Sequence, residues 1–186
     1  MSFQRRYPLV TADLVLDNRD VDLIYENFDL AIKYGRPANQ ELIIRRLGAI
    51  RRILVAAPSF LERFGPIDTV ERLSETGIVT SSRLLAPRDV LTLRHLGGEV
   101  VDIPIRAVLR TNSASVIAST LVGGHAPGPV QQLLVNDELS QGSLVRILPD
   151  YEVKAIDAFF AYPSVRFMRP LVRAFTDFCS PSTSVC

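Results

Sequence analysis

Tryptophan is absent from the 186 residues, and cysteine, methionine, histidine and lysine occur only twice each. Two cysteines close to the C-terminus, Cys179 and Cys186, cannot frame a disulfide scaffold. Cys179 falls on a helical apolar stripe and reads as a small buried hydrophobe. His95 and His125 show no metal-ligand spacing to each other or to a cysteine, so no metal centre is expected. P-loop, Gly-x-Ser-x-Gly and Gly-x-Gly-x-x-Gly patterns are missing too, which leaves catalysis without positive support and no cofactor expected. The acids Asp20, Asp22 and Glu26 read as the solvated face of a short helix rather than as a catalytic set. No apolar run approaches the roughly 18–20 residues that cross a bilayer. The N-terminus carries charge without an apolar stretch behind it, so it is not a secretory signal, and the cytoplasm is the default setting.

The residues that are present describe a globular chain. Hydrophobic residues make up 47% and charged residues 22%, enough to bury a core in one domain or two small lobes. A net charge of +1 gives no basic surface for nucleic acid. All but two of the 21 basic residues are arginine, the exceptions being Lys33 and Lys154. Arginine's planar fork suits carboxylates and phosphates, although a codon bias would produce the same excess. The pairs Arg45-Arg46 and Arg51-Arg52 alternate across strands and read as a solvated sheet edge.

Periodicity divides the chain into alternating elements. Val10, Ala12, Leu14 and Leu16 lie on one face of a predicted strand. Val21, Ile24 and Phe28 fit one face of a helix capped by Asn18, with Asp20 and Asp22 in its first turn. A strand is expected over 29–34, turned by Gly35 and Pro37, then two β-rich runs at 41–47 and 52–57. The second run is continuously apolar, as in a strand buried on both faces. Asp68 with Glu71 resembles a capping box for a helix carrying Val70 and Leu73 and closed by Gly77. Strands follow at 77–80, 90–94, 100–106 and 108–111, with Gly97-Gly98 as a hairpin turn. Asn112 or Ser113 caps a helix bearing Val116, Ile117 and Leu121, and Val130, Leu133 and Leu134 predict another, stopped by Gly142. Leu171, Val172, Phe175, Phe178 and Cys179 form a last helical stripe before a frayed tail at 180–186. No internal repeat is visible. The alternation predicts an α/β protein with largely parallel sheets.

Several segments together resemble a known family. Asp29-Leu-Ala-Ile-Lys-Tyr-Gly35 lies between the run at 21–28 and Arg45-Arg-Leu-Gly-Ala-Ile-Arg-Arg-Ile-Leu-Val-Ala-Ala-Pro58. Gly142-Ser-Leu-Val-Arg-Ile-Leu-Pro-Asp-Tyr151 follows later, then Phe159-Phe-Ala-Tyr-Pro-Ser164 and Arg169-Pro-Leu-Val-Arg-Ala-Phe-Thr-Asp-Phe178. Their order resembles the effector-binding domain of LysR-type transcriptional regulators over nearly the whole chain. The resemblance implies a two-lobed fold like a type 2 periplasmic binding protein. Lobe one would be residues 1–56 plus 157–179, lobe two residues 57–156, with a small effector bound between them. Two departures accompany it. Neither the family's winged helix-turn-helix nor the first strand and most of the first helix of its effector domain has a counterpart here. The chain therefore reads as a truncated effector-sensing module with lobe one incomplete, and no DNA binding of its own is expected. Pro127 and Pro129 also stand where the family has a short apolar crossover strand, which predicts a shortened or irregular one.

Strand ends and helix N-termini facing a crevice offer free N–H groups and a favourable dipole. Three places qualify: Asp17-Asn18; Thr80-Ser81-Ser82-Arg83; and Asn112-Ser113 with Ser115. The resemblance sets the first two beside the effector and the third close to it. For Asn112 and Ser113 a plain helix cap is the competing reading. His125, in the Gly-Pro loop, is either a cleft residue or simply exposed. Asp17 would repel a carboxylate and favour a neutral or amino-bearing effector if it faced the site. Expected partners are the effector and a second copy or relative. A stand-alone protein pairing with full-length relatives is the alternative, and a small-molecule enzyme on the same fold a third.

Overall fold

The structure, a computed structural model, describes residues 2–17, 19, 21–37, 41–81, 84–85, 89–163 and 169–179. The chain divides into two compact units, one of Met1–Ala49 with Ile156–Cys186 and one of Ile50–Ala155. The elements are α1 (Ser2–Arg6), β1 (Ala31–Tyr34), β2 (Leu42–Ala56), α2 (Pro58–Phe64), α3 (Val70–Glu75), β3 (Ile78–Ser81), β4 (Val90–His95), β5 (Val100–Pro104), β6 (Ala107–Thr111), α4 (Ala114–Val122), β7 (Gly128–Gln131), α5 (Asn136–Gln141), β8 (Val145–Arg146), β9 (Tyr151–Pro163) and α6 (Pro170–Cys179).

Strand β2 organises the second unit. Successive side chains of a strand point to opposite faces, and β2 is apolar on both. Leu54 and Ala56 enter one core with Phe60, Leu73, Ile78, Leu91, Leu93 and Ile103. Ile53 and Val55 enter another with Val79, Ile117, Leu121, Val130 and Leu144. Strand β3 repeats the division, with Ile78 in the first core and Val79 in the second. Parallel pairing joins β3 to β6, while β4 pairs antiparallel with β5 and β9, and β2 with β7 and β8. Helix α2 opens with Pro58, where the missing N–H costs nothing, and buries Phe60. Gly128 lies where β7 crosses β3: a Cβ there would overlap the Val79 carbonyl, and the Val79 N–H donates to the Pro127 carbonyl at 3.0 Å.

In the first unit, β1 pairs antiparallel with β9, Ala31 opposite Ala161 and Lys33 opposite Phe159. Helix α6 covers that sheet through Val172, Phe175 and Cys179, which pack with Phe160, Tyr162, Leu30 and Leu47. Phe3 of α1 is buried edge-on against Phe175 and Phe178, with ring centroids 5.1 and 5.3 Å away. Burial also raises the Cys179 thiol above its usual range.

Several expectations need correction. Residues 10–16 form no strand: their period-2 pattern has no ladder partner among the described residues, and Leu14 and Leu16 are exposed. Residues 23–27 make a tight turn instead of a helix. Asp22 accepts the N–H groups of Ile24 and Tyr25, and Leu23, not Ile24, is buried. The two β-rich runs at 41–47 and 52–57 merge into β2. Thr69, not Asp68, caps α3, because its hydroxyl reaches the Arg72 N–H at 3.2 Å. Val130 belongs to β7 opposite Ile53, and Leu133 and Leu134 are exposed in a 3-10 turn, so no helix runs through those three. In the last helix Leu171 and Phe178 are exposed, while Thr176 is buried. Beyond β3–β6, every register described is antiparallel, contrary to the largely parallel sheets expected. Strand β7 is short, four residues with Pro129 opposite Leu54, in keeping with the shortened strand expected from Pro127 and Pro129.

Arg45, Arg46 and Arg52 of the arginine pairs have partners. Arg45 meets Asp177 at 2.8 Å and Arg46 meets Asp157 at 2.7 Å. Arg52 donates to the Lys154 carbonyl at 3.3 Å, and burial lowers its pKa.

The β3–β7 crossing yields a stability prediction. Gly128→Ala should lower stability by about 1–3 kcal/mol, since the added methyl has to displace backbone. Urea unfolding would register a lower midpoint at unchanged slope, and an unmoved midpoint would contradict the packing described.

Candidate functional site

The candidate residues that the structure brings together lie at one end of the β3–β6 pair. Ser81, the last residue of β3, is opposite Thr111, the last residue of β6. The Thr111 hydroxyl accepts the Ser113 N–H at 3.1 Å. Ser113 caps α4 by accepting the Val116 N–H at 3.4 Å, and its hydroxyl shares a 2.9 Å hydrogen bond with that of Ser115. Asn112 is exposed in the connecting bend. Four hydroxyl side chains thus gather where a nine-residue helix begins. Helix starts leave N–H groups without intrahelical partners and carry partial positive charge. The cap role of Ser113 is compatible with a contact to a further group, since one hydroxyl can accept from the helix and still meet a second group.

Thr80 differs from its neighbours. It is fully buried, and its hydroxyl has no hydrogen-bond partner among the described residues. By strand alternation it lies on the face of Ile78, opposite that of Ser81. Arg110, in register with Thr80, is held by Asp89 at 2.6 Å, and that bond and charge raise its pKa. Asp89 sits at φ 54°, a left-handed conformation that aspartate tolerates, and its carbonyl accepts the Ile105 N–H at 2.8 Å.

Other candidates are not part of this corner. His125 follows the C-terminal end of α4, the opposite end from Ser113, about 13 Å along a helix of this length. Asp17 is engaged by Arg19, whose N–H and guanidinium both reach its carboxylate, the latter at 2.6 Å. Asn18, Ser82 and Arg83 lie outside the described residues. Thr111 was not singled out from sequence. A hydroxyl two residues before a helix cap was the available signal.

Hydroxyl groups and helix N–H groups can orient a small polar molecule, but they supply neither a nucleophile–base pair nor a metal cage. Among the described residues no group of three or more His, Cys, Asp or Glu is placed to hold a metal ion. No helix among them is long and apolar enough to cross a membrane.

Comparison with known proteins adds an independent observation. The family model described as LysR substrate binding domain matches residues 1–183. Among curated proteins, the chain is 27% identical over 176 residues to the HTH-type transcriptional regulator PtxR of Pseudomonas aeruginosa, covering 95% of this chain and 56% of that protein. It is 26% identical over 166 residues to the transcriptional activator TtdR of Escherichia coli K12, covering 89% and 53% respectively. The chain therefore spans about half the length of the curated relatives it matches. Among solved structures, full-length AphB of Vibrio cholerae aligns with TM-score 0.78 at 25% identity, over 96% of this chain and 60% of that one. The regulatory domain of CrgA from Neisseria meningitidis aligns with TM-score 0.81 at 21% identity, over 96% and 87%. At that identity the CrgA match speaks for the fold alone.

The unpartnered hydroxyl of Thr80 gives a sharp expectation. A buried hydroxyl without a partner costs about 1–3 kcal/mol, and valine has nearly the same shape. Thr80→Val should raise the unliganded protein's stability by about 1 kcal/mol in chemical denaturation. A loss of similar size would mean that the hydroxyl is satisfied.

Proposed function

The chain belongs to the LysR substrate-binding-domain family, and on that premise we propose that the hydroxyl corner of Ser81, Thr111, Ser113 and Ser115 receives a small-molecule effector. The two units act as the lobes of a sensing domain, and occupancy of the corner shifts the population of states that an attached DNA-binding module would read. A second copy or a relative of the same family is the protein partner, and the cytoplasm is the setting. The observation that carries this reading is the Thr111–Ser113–Ser115 hydrogen-bond chain at the start of α4, in register with Ser81. A carboxylate or other small polar group suits it, because the corner is built of donors and no acid is among its four side chains. Asp17, already held by Arg19, does not argue against an anionic effector.

Small organic acids and amino-acid-like compounds, screened by thermal melting, test the proposal. A ligand at a hundredfold excess over its Kd should stabilise the fold by roughly 2.7 kcal/mol. Ser81→Ala combined with Ser115→Ala should abolish that shift while leaving the unliganded melting temperature within a few degrees. A shift undiminished in the double variant would place the effector elsewhere.

A further inference from the structure

Of the arginines described in the second unit, only Arg52 is not exposed. Exposed Arg72 and Arg110 meet Glu75 and Asp89. Arg52, half-buried, makes its only hydrogen bond among the described residues to a neutral group, the Lys154 carbonyl at 3.3 Å. Burial alone moves its pKa, downward, with no acid near enough to oppose it. A guanidinium carries five N–H donors, so most of them remain available. Withdrawing a cation from water without a counter-charge is costly, and a planar anion that takes up the fork offsets that cost.

The backbone sets an uncharged donor beside it. Arg52 and Gln131 are the terminal pair of the β2–β7 ladder, directly opposite each other. Residues so paired point to the same face, with Cα atoms roughly 4.5–5.5 Å apart. Gln131 is half-buried as well, and its side-chain amide has no partner among the described residues. By alternation both lie on the face of Leu54, with Ile50 and Leu54 flanking Arg52 on β2 and Pro129 preceding Gln131 on β7, so neither strand turns an acid toward them. Helix α4 begins directly after β6 and returns the chain to the start of β7, so β7 runs in the sense of β6 and β3. Arg52 and Gln131 therefore lie at the same end of the unit as Ser81 and Thr111. They are on the other face of the strands, since Ser81 shares the face of Val79, which packs with Ile53.

We propose that Arg52 and Gln131 form a carboxylate-binding position on the second unit, separate from the hydroxyl corner and not dependent on it. The ligand is a small organic acid. Its two oxygens take parallel N–H bonds from the guanidinium, and the Gln131 amide donates to one of them. A planar carboxylate matches the planar fork at two points, whereas a halide offers one point to every donor and gains less. The Lys154 carbonyl keeps the guanidinium over the strands while the remaining donors face the ligand. Occupancy clamps the end of the β2–β7 ladder, where the chain passes into the 3-10 turn Gln132–Leu134.

Titration of the 186-residue chain with sodium acetate, at an ionic strength held constant with sodium chloride, tests the position by NMR of the Arg52 Nε–H and the Gln131 side-chain amide. Both signals should shift along one saturable curve in acetate and stay in place when chloride alone is varied. Arg52→Lys keeps the charge but removes the fork, and should erase the saturable shift at Gln131. Gln131→Leu leaves Arg52 intact and should weaken acetate about fivefold, read at the Arg52 Nε–H. The spectra of both variants report their folding, and either variant alone suffices for the comparison. No saturable shift in the unaltered chain, an equal response to chloride, or acetate binding undiminished in either variant would overturn the proposal.

Discussion

Two strands that are apolar on both faces constrain the rest of the second unit. Ile53 and Val55 face one core, Leu54 and Ala56 the other, and β3 divides Ile78 and Val79 in the same way. Apart from Thr80, residues 53–56 and 78–79 turn only apolar side chains toward the two cores, so helices and loops have to cover both sides. Helices α2 and α3 supply Phe60 and Leu73 to one side, and α4 supplies Ile117 and Leu121 to the other. With its core face fixed, α4 starts where β6 ends, which sets Ser113 within hydrogen-bond reach of Thr111 and beside the end of β3. The candidate site is thus a consequence of burial: hydroxyl groups occupy the points where strands leave the core and a helix begins.

Local signals accounted for the elements whose structure is decided locally. Gly97-Gly98 marked the β4–β5 hairpin, Ser113 marked the cap of α4, and the apolar run ending at Ala57 marked a doubly buried strand. Where tertiary partners decide, the pattern was not enough. Residues 10–16 alternate as a strand should, yet with no ladder partner among the described residues they form no strand. Val130 looked helical beside Leu133 and Leu134, but pairing with Ile53 holds it in β7. The strand pairings are mostly antiparallel because distant segments meet, something no local period encodes. Helix α2 was missed because its cap position is Ala57, which offers no side-chain cap signal of the kind that marked the shorter α3.

The site was legible in part. Ser81 and Ser113 were identifiable because strand-end and cap positions have a chemical signature. Their juxtaposition depends on the β3–β6 register, which sequence does not display. His125 was grouped with them only because it shares a loop rich in glycine and proline, whereas a helix of nine residues separates it from Ser113. Family membership supplies what residues 81–115 cannot: a reason to expect a ligand at a corner that has no catalytic equipment.

Native-state hydrogen exchange tests the central claim, that the doubly buried strands of residues 50–155 organise the fold around the site. The slowest amides should be those of residues 53–56 and 78–80, opening only with global unfolding, while residues 10–16 exchange nearly unprotected. Equal protection in residues 10–16 and in β2, or fast exchange through residues 53–56, would contradict it.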